Sequence, residues 1–225
     1  MVHALITGTS SGLGKACLNY FKDWDITQIE GRKDCDFNHP LEVYSIVKNI
    51  TKPLDVIIHS AGGGFGFKDP LLYWEDFETL YRVNVLAPAE INRICVPKMI
   101  KNCGGNIIHI GSIASTQSCS SVGYSTVKAG VAAYVRNLGR ELAKDNIIVT
   151  GILPGSFIAD GNNWDKYTKN NEQWLDEYIR LNCPRGKLGN VDEILPLIRF
   201  LASKEATMMT GCCVPIDGGE GVTYG

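Results

Sequence analysis

Apolar and polar positions along this chain fall into two alternating spacings. Short, nearly continuous apolar runs of strand length occur at residues 2–7, 26–30, 54–59, 106–110, 147–153 and 212–216, with a smaller one at 35–37. Between them lie longer stretches with helical spacing, at 14–22, 41–50, 70–86, 88–102, 124–144, 164–180 and 192–202. Strands that alternate with helices predict an α/β fold: a doubly wound, Rossmann-type parallel sheet, covered on both faces and joined by right-handed crossovers. Only residues 31–34 separate the run at 26–30 from that at 35–37. No crossover helix fits there, so the connection between the second and third strands reads as a shortened loop.

Composition narrows the class. The chain has 225 residues, enough for one well-filled core, and is expected to form a single domain. Hydrophobic residues make up 44% and charged residues 20%, with a formal charge of −2 and no charged block. Nucleic acid and membrane surfaces are therefore not expected partners. The apolar run at the start is too short for a signal segment, and no apolar stretch reaches spanning length, so a cytoplasmic location is the default expectation. Eight cysteines occur without a C-x-x-C pair and read as reduced thiols rather than zinc ligands or disulfides. His3, His39, His59 and His109 have no ligand spacing, and no metal is expected.

Candidate chemistry begins at Thr7-Gly8-Thr9-Ser10-Ser11-Gly12-Leu13-Gly14, between the first strand and the first helix. Gly8 permits a tight turn, Gly12 lets backbone approach a pyrophosphate, and Gly14 lets helix and strand pack closely. The N–H groups at the helix start then face the anion. At the end of the second strand stand Gly31, Arg32 and Lys33. A guanidinium suits a 2′-phosphate, which favours NADP over NAD, although Glu30 is close enough to reach a ribose instead. Asp36 and Phe37 are expected to border the adenine. Tyr124 and Lys128 lie four residues apart and share a helix face. The lysine cation is expected to lower the phenol's pKa and make the pair an acid/base for alcohol–carbonyl interconversion. Ser112, just past a strand end, is placed to hold the substrate oxygen. Asn84 is placed to bind a water beside Lys128.

These motifs, in this order over nearly the whole chain, resemble a classical short-chain dehydrogenase/reductase of the 3-oxoacyl-carrier-protein-reductase type. The resemblance also takes in Asp55, Ser60-Ala61-Gly62, Leu153-Pro154-Gly155, Thr210-Gly211 and Ile216-Asp217-Gly218-Gly219. It implies that Tyr124 is the acid/base, Ser112 orients the substrate, Lys128 also binds the nicotinamide ribose, and Asn84 supports a proton relay. It implies cofactor contacts at Gly8, Ser10, Ser11, Gly12, Leu13, Gly14, Arg32, Asp36, Phe37, Ser60, Ala61, Gly62, Asn84, Tyr124, Lys128, Pro154, Gly155 and Phe157. The cofactor is NADP by preference, with NAD as the other option.

Two departures stand out. The family's Asn-Asn-Ala-Gly is His59-Ser60-Ala61-Gly62 here. Its threonine after Pro-Gly, which bonds the nicotinamide carboxamide, is replaced by Ala159, with Ser156 as a substitute. Residues 156–185 are expected to form a substrate lid, in which Trp164, Trp174, Tyr178 and the asparagines at 162, 163, 170 and 171 would suit a sugar-like substrate. A 3-oxoacyl thioester is the other substrate class implied. The resemblance also implies a homodimer or homotetramer through 88–102 and 124–144. The non-enzymatic alternative is a dinucleotide-sensing binding protein, but relatives of that kind tend to lose the tyrosine or lysine that this chain keeps.

Overall fold

The computed structural model describes residues 1–31, 33–170 and 172–222. Six strands form one parallel sheet: β1 (His3–Thr7), β2 (Asp25–Ile29), β3 (Val56–His59), β4 (Gly105–Ile110), β5 (Ile147–Pro154) and β8 (Cys213–Ile216). They lie in the order β2-β1-β3-β4-β5-β8. Strands β1, β3 and β5 are buried along their full length, as their continuous apolar runs require.

Consecutive strand residues point to opposite faces. Leu5, Ile57, Ile107 and Val149 enter the core beneath α2 (Pro40–Lys48), α4 (Ala87–Lys101) and α5 (Val122–Leu142). Their neighbours Ala4, Ile6, Ile58 and Ile108 pack on the other face against α1 (Gly12–Tyr20) and α8 (Leu195–Leu201). Burying each isoleucine or leucine contributes roughly 1.5–3 kcal/mol. The sheet grows outward from β1 in one direction and from β3 in the other. The reversal opens a crevice at the strands' C-terminal ends, where ligands bind in such sheets.

Two expectations about elements are corrected. Residues 35–37 form no strand, so β2 is the sheet edge, and the link from β2 to the true third strand, β3, carries α2. Cys35 and Phe37 instead turn inward and plug the core beside α2. Asp36 holds the turn locally by accepting from the Asn38 N–H at 2.9 Å and its Nδ2 at 3.0 Å. The helix expected over 164–180 is two, α6 (Asn163–Lys169) and α7 (Trp174–Asn182). They fold back so that Trp164 packs on both Trp174 and Tyr178, with ring centres 6.1 and 4.8 Å apart. With Leu175, Cys183 and Leu188 these helices form a small core of their own. A short parallel pair, β6 (Phe157–Ile158) and β7 (Gly189–Asn190), connects it to the sheet.

The helix expected over 70–86 begins at α3 (Trp74–Tyr81) and widens into a π turn over Arg82–Leu86 before α4. Asn84 sits in that turn, a feature often found at functional sites. No helix among the described residues is long and apolar enough to cross a membrane.

Candidate active site

The phosphate loop has the close packing that its glycines predict. Gly8 adopts φ +72°, and a Cβ there would lie 2.7 Å from the Ala61 backbone. A Cβ on Gly14 would stand 2.2 Å from the Gly8 carbonyl oxygen and 3.2 Å from Ser60 Oγ. The Ala61 N–H donates to Thr7 Oγ1 at 3.2 Å, fixing the 60–62 turn against the loop. Ser10 and Ser11 are exposed, and Ser11 is the N-cap of α1 without a side-chain cap bond. The buried Thr9 hydroxyl has no hydrogen-bond partner among the described residues. An uncapped helix start, an unpartnered hydroxyl and backbone cleared of side chains fit a pyrophosphate.

One part of that expectation is corrected. The Gly12 N–H is not free: it donates to the Asp160 carbonyl at 2.8 Å, and Lys15 Nζ meets the Asp160 carboxylate at 2.6 Å. The segment after β6 therefore rests on the loop. Nothing in the sequence pattern marked Asp160, because residues 12 and 160 meet only in the fold.

At the adenine end, Arg32 lies outside the described residues. Glu30, the rival ribose ligand, forms an ion pair with Lys33 at 3.0 Å. Phe37 is buried, and its ring lies 3.8 Å from where a Gly31 side chain would begin. Asp36 is half-buried beside it.

The structure brings the four expected catalytic residues together. Ser112, just beyond β4, accepts from the Ala114 N–H at 3.2 Å, and its hydroxyl is near enough to the Tyr124 phenol to favour the phenolate. Lys128 is buried; its Nζ donates to the Ile110 carbonyl at 2.8 Å and lies 5.5 Å from the Tyr124 ring centre. A Cβ on Gly62 would be 2.6 Å from Asn84 Oδ1 and 3.6 Å from Lys128 Nζ, so that glycine leaves room for both. Gly64 lines the Tyr124 ring in the same way, at 3.5 Å.

Asn84 is more occupied than expected. Its Oδ1 accepts from the Gly63 N–H at 3.1 Å, while Nδ2 donates to the Gly63 and Leu80 carbonyls at 3.0 and 2.9 Å. One lone pair of Oδ1 is left for a water. The residue's main task in this structure is to hold the glycine floor of the site.

The electrostatics also correct the expected lysine effect. Burial pushes the Tyr124 phenol up to about 12, and only the neighbouring Ser112 hydroxyl works against it. Burial likewise pulls the Lys128 ammonium down to about 8. The lysine turns its charge toward the Ile110 carbonyl instead of the phenolic oxygen.

The Pro154–Gly155 turn leads directly into Ser156. That hydroxyl does not serve as a free substitute for the family's threonine: it donates to Glu220 Oε1 at 2.8 Å, with the Tyr178 hydroxyl oxygen 2.9 Å away. Phe157 lies in β6, where its carbonyl accepts from Asn162 Nδ2 at 2.7 Å. Asn162 also caps α6 by accepting from the Asp165 N–H at 2.8 Å, so its amide is structural.

His59, which replaces the first asparagine of the family motif, is part of a buried network. Its Nε2 meets Asn92 Oδ1 at 2.8 Å, and its ring stacks on His109 at 4.5 Å. Asn92 also donates to the Tyr134 hydroxyl at 3.2 Å, so the network joins β3, β4, α4 and α5 beneath the site.

Residues 30–220 match the family model described as enoyl-(acyl carrier protein) reductase. The chain is 31% identical to the 3-oxoacyl-(acyl-carrier-protein) reductase of Rickettsia bellii, over 96% of this chain and 86% of the relative. It is 30% identical to the enzyme of the same name from Thermotoga maritima, over 96% of each. The fold is also that of L-sorbose reductase from Gluconobacter frateurii, a structure complexed with NADPH and L-sorbose. There the TM-score is 0.87 at 24% identity, covering 99% of this chain and 97% of that one. The fold and these relatives define an NAD(P)-dependent oxidoreductase that interconverts carbonyl and alcohol groups. The chain belongs to the classical short-chain dehydrogenase/reductase family.

Proposed function

We propose that this enzyme reduces a ketone or aldehyde with Tyr124 as the proton donor. The observation that carries the reading is the convergence of Ser112, Tyr124 and the buried Lys128 at the C-terminal end of β4, where Lys128 Nζ donates to the Ile110 carbonyl and lies 5.5 Å from the Tyr124 ring centre. Bound dinucleotide supplies the hydride. Ser112 and the Tyr124 hydroxyl hold the carbonyl oxygen, and the phenol passes its proton to that oxygen as the carbonyl carbon is reduced. Tyr124 regains its proton from solvent along a path that runs past Lys128 and a water on Asn84.

The dinucleotide would lie along Gly8, Ser10, Ser11, Gly12, Leu13 and Gly14. Its adenine end would rest near Asp36 and Phe37, and its nicotinamide end near Ser60, Ala61, Gly62, Pro154, Gly155 and Phe157. NADP is preferred, because Lys33 already holds the Glu30 carboxylate that a ribose 2′-OH would need. Residues 156–185, with their separate small core, act as the substrate lid. The substrate is a sugar-like ketone or a 3-oxoacyl thioester. The enzyme works in the cytoplasm as a homodimer or homotetramer through α4 and α5.

The test is a carbonyl panel followed by NADPH absorbance. Tyr124→Phe is expected to lower the rate by about 10²–10⁴ with NADPH binding retained. Unchanged turnover in that variant overturns the assignment.

A further inference from the structure

The proton chemistry proposed above leaves one polar cluster beside the site unused. Glu220 follows β8 on a turn held by Asp217, whose carboxylate accepts from the Gly219 and Gly221 N–H groups, both at 2.9 Å. Glu220 Oε1 accepts from Ser156 Oγ at 2.8 Å and from the Tyr178 hydroxyl at 2.5 Å, while Oε2 accepts from the Ser156 N–H at 2.5 Å. A Cβ on Gly155 would fall 2.5 Å from Oε2, so a glycine at that turn lets the carboxylate lie against it. The same C-terminal segment reaches the loop that leads into Tyr124, where the Val222 N–H donates to Gln117 Oε1 at 2.8 Å. That loop runs from Ser112 to the start of α5, which carries Tyr124. The carboxylate thus stands between the Pro154–Gly155 turn, the lid helix α7 and the approach to the phenol.

The chemistry of this group is one-sided. An ionised carboxylate only accepts, at about four lone-pair sites. Three are filled, and the open one is on Oε2. Among the described residues no lysine or arginine pairs with Glu220; Arg185 nearby pairs with Glu193. A ligand that brings a hydroxyl donor completes the set. A bare hydrocarbon chain packed here would leave the carboxylate desolvated and one acceptor unmet, a substantial penalty.

We propose that Glu220 is a specificity-determining residue that selects hydroxylated ketones, accepting a hydrogen bond from a substrate hydroxyl close to the carbonyl held by Ser112 and Tyr124. The inference rests on the carbonyl-reduction reading and names its substrate class: polyhydroxy ketones in preference to unsubstituted acyl chains. A site built to bond a hydroxyl discriminates strongly against the analogue that lacks it. Because Tyr178 is on α7, the same carboxylate couples recognition to the position of the lid.

The experiment compares 1,3,4-trihydroxybutan-2-one with butan-2-one on the intact enzyme. Turnover is read by NADPH absorbance, and binding to the NADP-bound protein by tryptophan fluorescence, since Trp164 and Trp174 pack on Tyr178. Wild type is expected to prefer the hydroxylated ketone at least tenfold. Glu220→Gln is expected to cut that preference about tenfold, mainly through KM, with NADPH affinity unchanged. If Glu220→Gln does not fold, Glu220→Asp keeps the charge and shortens its reach, and a reduced preference is expected again. An unchanged preference, an equal loss for both ketones, or equal wild-type binding of the two overturns the inference. Selective binding of the hydroxylated ketone without turnover of either sinks the carbonyl-reduction reading and leaves the role of Glu220 standing.

Discussion

The Gly12 N–H donates to the Asp160 carbonyl at 2.8 Å, which brings the segment after β6 onto the phosphate loop and sets a carboxylate beside the expected pyrophosphate position. Lys15 at the start of α1 neutralises that carboxylate at 2.6 Å. Asp160→Asn removes the negative charge and frees Lys15 for the dinucleotide. NADPH is expected to bind about fivefold tighter at low salt, the worth of roughly one solvent-exposed charge interaction. The gain should fade as ionic strength rises, because both side chains are exposed. Fluorescence titration of NADPH at two salt concentrations checks this, and weaker binding would contradict it.

Gly14 tolerates no side chain. A Cβ there would meet the Gly8 carbonyl oxygen at 2.2 Å and its carbon at 2.7 Å, both main-chain atoms within the phosphate loop. Gly14→Ala must therefore move the loop away from the helix start. We expect at least a tenfold loss of NADPH affinity together with a lowered Tm, measured by titration and thermal unfolding. An alanine variant with native affinity would show that the loop can be displaced without effect on the cofactor.

The two shifted pKa values at the site set a pH profile for reduction. Both acid forms are required, a neutral Tyr124 and a charged Lys128. Lys128 loses its proton at about 8 and Tyr124 only at about 12. The kcat for reduction should be level through neutral pH and decline above about pH 8. A profile that stays level to pH 10 would remove Lys128 charge from the mechanism.

The buried histidine pair predicts sensitivity to acid. Burial holds His59 down at about 4 and His109 well below its usual value. The unfolded chain therefore binds more protons as pH falls below about 6.5, so stability is full above that pH and is lost on descent toward 4. For His59 alone the loss amounts to about 3 kcal/mol. Urea unfolding at pH 7 and pH 5 captures about 2 kcal/mol of it. In His59→Asn the difference between the two pH values should shrink.

Arg32 is the residue we propose to carry the cofactor preference. With Glu30 already paired to Lys33, Arg32→Ala should weaken NADP binding about tenfold while leaving NAD binding little changed. Parallel titrations with the two dinucleotides decide it, and an unaltered preference would remove Arg32 from that role.

Local spacing in the sequence was enough to show the alternation of strands and helices and the phosphate loop. The reason is that a parallel strand buried on both faces must be apolar throughout, and a helix start that approaches an anion needs glycine. The four residues expected around the reaction also stood out, because their order along the chain is fixed by which strand ends and helix faces line the crevice. The short strand at 35–37 was misread for a physical reason: Cys35 and Phe37 are apolar in either setting, and only the fold decides whether they extend a sheet or plug a core. The single helix over 164–180 was misread because the ring contacts between Trp164 and Tyr178 that favour two helices join residues fourteen apart.

What the sequence determined by itself, then, is the class of fold and the order of the candidate proton-handling groups along it, since both depend on residue type and spacing along the chain. Tertiary structure alone decided how those groups are tuned and what surrounds them. The high phenol pKa of Tyr124 comes from burial. The Asp160 contact with Gly12 joins the ends of two distant segments. The meeting of Ser156, Tyr178 and Glu220 draws three parts of the chain to one carboxylate. Burial, field and convergence are properties of packed neighbours, and neighbours far apart in sequence leave no local pattern to read.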